Sequence, residues 1–158
     1  MDIKTVTTEE LLQGIRQQQS LFAFRLRRHP EQARVFRKYG APEKTAEMIR
    51  QGSSDIFFDN QTFCMTGSYL LDRTAPDSLL LLTDVLAAYP EMRSKGEYLI
   101  VHDRWGDVFA YPFAVGQKQV FRIGILIDKI KKASPGCRTG HRPEDLEYVR
   151  QQAEKLPD

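Results

Sequence analysis

At 158 residues, 41% apolar and 28% charged, the chain is long enough to bury one hydrophobic core and too apolar for an intrinsically disordered segment. A formal net charge of +2 does not by itself call for a polyanionic partner. Two isolated cysteines, Cys64 and Cys137, form neither a disulfide framework nor a metal set, so a reduced, cytoplasmic protein without a cofactor is expected.

The charge is unevenly spread: basic residues dominate 1–52 and 116–158, and acidic residues dominate 53–115. The first dozen residues lack a basic region followed by an apolar core, so no secretory leader is expected. No apolar run approaches membrane-spanning length, and no membrane association is expected. There is no internal repeat or low-complexity tract.

In chain order, Thr7 or Thr8 followed by Glu9 and Glu10 is a helix start, a hydroxyl cap ahead of acids in the first turn. Leu11, Ile15, Phe22 and Leu26 share one face of a helix predicted to end near Arg28, ahead of Pro30. Pro30 opens a second helix through Val35 and Phe36, stopped by Gly40. Pro42 opens a third through Ala46, Met48 and Ile49, stopped by Gly52. Residues 55–59 and 62–71 form a hairpin around Asn60-Gln61, with Gly67 marking a bulge. From Asp77 to Ala88 the chain is apolar nearly all round, the pattern of a buried helix, ended by Tyr89-Pro90.

Residues 97–129 read as an antiparallel meander. Its first strand ends at Asp103, and Gly106 suits a left-handed position after a type I turn. Asp107 to Ala114 is the second strand, in which Pro112 implies an unpaired side or a bulge. Gln119 to Ile127 is the third, with Phe121, Ile123 and Ile125 as the stripe on which the 77–88 helix would pack. Residues 128–133 make a short turn of helix, 134–142 a mobile loop rich in Gly and Pro, and Pro143 opens a last helix carrying Leu146, Val149, Ala153 and Leu156.

The fold class is therefore α+β: N-terminal helices, a mainly antiparallel sheet of about five strands covered by a buried helix, and a C-terminal helix. The chain reads as a single domain, 1–158, with a helical block (1–52), a sheet region with the buried helix (53–133) and a terminal loop and helix (134–158).

Three clusters could carry function. Asp103, Arg104, Trp105 and Asp107 crowd one hairpin tip, and Trp and Arg are the residues that most often anchor a protein interface. The competing role for Trp105 is to fold back onto the sheet. Arg25, Arg27, Arg28, Arg34, Arg37 and Lys38, with Phe22, Phe24 and Tyr39 among them, could track a nucleic-acid backbone. A helix-turn-helix match is poor, because Glu43 and Glu47 on the third helix would face phosphates. The competing role of this region is a solvated helix face. Leu21–Arg27 as an interfacial membrane helix is disfavoured by the glutamine run before it. His102, Asp103 and Asp107, with His141, are the candidates for an acid/base or metal site. Adjacent strand residues face opposite ways, which argues against joint action of His102 and Asp103. No metalloprotease, phosphate-loop, nucleophile-elbow or paired Cys-x-x-Cys motif occurs.

The expected function is a non-enzymatic protein-binding module such as an adaptor, secretion chaperone or toxin-neutralising immunity protein, with homo-oligomerisation compatible with the pattern. A nucleic-acid-binding regulator using the basic helices comes second. A small hydrolase or nuclease near His102 and Asp103 comes third.

Overall fold

The computed structural model describes residues 2–17, 38–75, 78–113 and 117–154, with backbone alone for 117–121 and 154. The fold is α+β: among the described residues it has seven strands, with one antiparallel sheet built from 56–72 and another from 85–113. The chain divides into two compact units, 1–79 and 80–158.

In the first unit, helix α1 covers residues 8–17. Thr7 Oγ1 accepts the Glu10 amide at 3.1 Å, the side-chain cap expected from the sequence. Leu11 and Ile15, one helical turn apart, are fully buried. The remainder of that expected helix, and the expected second helix up to Arg37, lie outside the described residues. Helix α2, Pro42–Gly52, has proline in its first turn and buries Thr45, Ala46 and Ile49. Gly52 is fixed by packing: a Cβ there would meet the Tyr69 ring at 2.4 Å. The Tyr69 hydroxyl donates to Ile49 O at 2.7 Å.

The expected hairpin forms between β1, Ile56–Asp59, and β2, Phe63–Thr66. Asn60 Oδ1 shapes its turn by accepting the amides of Thr62 and Phe63 at 2.8 and 2.9 Å. The long second run does not continue through a bulge at Gly67. It reverses at Gly67-Ser68 into β3, Tyr69–Asp72, paired with β2. Thr66 Oγ1 accepts the Ser68 and Tyr69 amides at 3.1 Å each, which turns the chain.

Two segments exchange the element type expected of them. Of the expected helix 77–88, Asp77 lies outside the described residues and 78–88 are not a buried helix. Leu80–Leu81 form β4, Leu82–Asp84 a 3-10 turn, and β5 runs from Val85 to Arg93, with Pro90 inside it. Residues 119–127 are not a strand, since they lie within helix α3, Gln117–Ala133. The meander is thus β5, β6 (Gly96–Asp103) and β7 (Val108–Phe113), displaced by one strand toward the N-terminus. Pro112 sits in β7, an end strand of this sheet, where its missing N–H is tolerated. The cover comes from the other segment: α3 packs on β5 and β6. It buries Ile123, Leu126, Ile127 and Ile130, at helical spacing, while Ile125 is 41% exposed. Leu99, Ile100 and Val101 of β6 are buried in the same unit.

The segment 134–142, expected to be mobile, is held. Ser134 Oγ donates to Val85 O at 3.0 Å, and Arg138 bridges β5 through its amide to Leu86 O (2.9 Å) and its carbonyl to the Ala88 amide (2.8 Å). The Arg138 guanidinium lies over the Tyr148 ring, 4.4 Å from its centroid. Helix α4, Pro143–Glu154, follows. Its buried Asp145 reaches back to accept the Arg142 amide at 3.3 Å, a cap from the third helical position. Val149 is buried, whereas Leu146, expected beside it, is exposed.

Leu82→Ala and Ile123→Ala remove fully enclosed side chains and are each expected to cost about 2–5 kcal/mol. Ile125→Ala, on the outer side of the same helix, is expected to change stability by no more than about 0.5 kcal/mol. Urea denaturation of the three variants checks the register of α3.

Candidate functional site

The β6–β7 turn is built around one carboxylate. Asp103 is fully buried, and its Oδ1 accepts the amides of Trp105 and Asp107, both at 2.9 Å. The Asp103 amide donates to Asp107 O at 3.0 Å, and the Gly106 amide to Asp103 O at 3.1 Å. Gly106 has φ +88°, the left-handed conformation that glycine adopts without penalty and that the sequence implied. Asp103 is therefore a turn-forming residue.

Arg104 and Trp105 are what the turn presents. The Arg104 amide donates to Asp84 O at 2.9 Å, and its Nη1 to Asp84 Oδ1 at 3.2 Å. Its guanidinium lies over the Trp105 ring, 5.0 Å from the centroid. The Arg104 side chain is 44% exposed and that of Asp84 only 9%. Trp105 and Asp107 are half-buried. Asp84 is the member that sequence reasoning missed. It lies twenty residues upstream in a stretch that reads as helix, so no local signal pointed to it.

His102 does not act with Asp103. It accepts or donates at Nε2 to the Tyr89 hydroxyl, 2.9 Å away, across the β5–β6 pair. His141 packs at a tilt against the same tyrosine, with ring centroids 5.0 Å apart. The fold thus gathers both histidines on Tyr89 and leaves Asp103 out. Burial holds the His102 pKa below its usual value, with the Asp103 charge pulling partly the other way. Burial, with Glu91 adding to it, raises that of Tyr89. Near neutral pH the pair is a neutral imidazole hydrogen-bonded to a phenol, without a phenolate nucleophile.

The two cysteines are buried free thiols. Burial pushes the Cys64 pKa up to about 12 and that of Cys137 to about 11, so neither offers a thiolate near neutral pH. Among the described residues no group of three His, Cys, Asp or Glu side chains is placed to hold a metal ion, and no helix is long and apolar enough to cross a membrane. Of the basic cluster, Arg25, Arg27, Arg28, Arg34 and Arg37 lie outside the described residues. Lys38 is half-buried in the turn before Gly40.

No protein-family model matches the chain, and neither does any curated protein or solved structure.

Asp103→Ala leaves two turn amides without their acceptor and is expected to cost about 2 kcal/mol or more, read from chemical denaturation. A pH dependence follows from His102. Its folded pKa lies below its unfolded value of about 6.5, so the unfolded chain takes up the proton first. The stability that the neutral ring contributes is complete above about pH 6.5 and is lost as pH falls from there toward the folded pKa. His102→Gln should flatten the melting temperature measured from pH 7 to 5.

Proposed function

We propose that the chain is a non-enzymatic protein-binding module of the adaptor, secretion-chaperone or toxin-neutralising immunity kind, and that it meets its partner through the β6–β7 tip. One observation supports this above the rest: an exposed guanidinium laid on a tryptophan ring, at a turn whose backbone is fixed by a buried carboxylate. Interface hot spots are enriched in Trp and Arg, and a side chain already held in place loses less freedom on binding. The buried, reduced thiols fit a cytoplasmic setting.

The test pairs affinity with stability. A partner is captured from the native host in the presence of nuclease, and wild type and Trp105→Ala are compared. The variant is expected to lose at least about 2 kcal/mol of binding free energy while its melting temperature stays nearly unchanged. A fall in melting temperature with unchanged affinity for the folded fraction would instead make Trp105 a packing residue.

A further inference from the structure

Arginine carries five N–H donors in a planar fork. In Arg104 the corner nitrogen Nη1 is committed to Asp84 Oδ1 at 3.2 Å, and the flat face rests over Trp105. Among the described residues, Nε and Nη2 meet no acceptor, while 44% of the side chain is open to solvent. The Nε–Nη2 edge is one that takes a carboxylate through two parallel hydrogen bonds.

We propose that Arg104 is a carboxylate receptor: its Nε and Nη2 hold an Asp or Glu side chain of a protein partner, while Asp84 fixes the opposite corner of the guanidinium and Trp105 supports its plane. This rests on the reading of the tip as a protein-binding surface and names the chemistry it recognises. Local charge favours a carboxylate over a phosphate. Phosphoryl groups are taken by clusters of arginines, or by helix N-termini. Here, among the described residues, a single arginine is paired with Asp84, whose repulsion grows with the charge of the incoming anion. A single carboxylate satisfies the open edge with the least added charge.

Trp105 is the only tryptophan, so its emission in the full chain reports on the tip. The probe is a family of short peptides with mixed flanks and a central Glu, Gln or Lys. The Glu peptides are expected to change the emission saturably, and the Gln peptides to bind at least about tenfold more weakly, as loss of a charge-assisted pair requires. Arg104→Lys, which keeps the charge but gives up the two-pronged edge, should erase the preference for Glu over Gln. Equal titration by Glu and Gln, or no response to any peptide, overturns the assignment. A preference for Lys peptides also overturns it but leaves the protein-binding reading standing. A response to inorganic phosphate or an oligonucleotide in the absence of any peptide response overturns both.

Discussion

The second unit depends on the burial of the Asp103 carboxylate. A buried charge is tolerated only when its oxygens are well paired, and here one oxygen takes two backbone amides of the turn that follows. That arrangement ends β6, sets the reversal completed by Gly106, and starts β7 in register with its neighbour. It also decides what the tip displays. With the Asp103 side chain buried, the next two residues form the turn, where Asp84 takes up the backbone and one corner of Arg104. Arg104 and the half-buried Trp105 are thus positioned by buried acids on two separate segments.

The elements that the sequence made legible are those fixed by local chemistry. Thr7 capping α1, Pro42 opening α2, Asn60 turning the first hairpin and Gly106 turning β6 into β7 each act within a few residues. The exchange of helix and strand between 77–88 and 119–127 has a different origin. The first segment is apolar on all sides, and such a run fits a buried strand as well as a buried helix. Its leucines and alanines are good helix formers, yet β5 runs through Pro90 as a strand paired along β6. The second segment is rich in isoleucine, which favours strands. Its spacing at Ile123, Leu126, Ile127 and Ile130 is that of a helix face, and packing on the sheet won over propensity.

The site divides along the same line. Alternation along a strand sets His102 and Asp103 on opposite faces, and the composition of the tip draws attention to Arg104 and Trp105. What places Asp84 under the arginine, and both histidines on Tyr89, is strand pairing and a long return of the chain. Contacts between segments so far apart leave no periodic trace in a single sequence.

The contact of Arg138 with β5 has a consequence for the behaviour of this protein at high concentration. The rim of a sheet is a template onto which another chain can add as a further strand, and proteins guard it with short coverings. Arg138 occupies the backbone groups of Leu86 and Ala88 with a single residue of opposite polarity to the β5–β6 pairing, parallel rather than antiparallel. A foreign strand seeking that rim must first peel away a segment anchored by Ser134 on Val85, by His141 on Tyr89 and by Arg138 itself on Tyr148. The connection between α3 and α4 thereby covers the first half of the β5 rim.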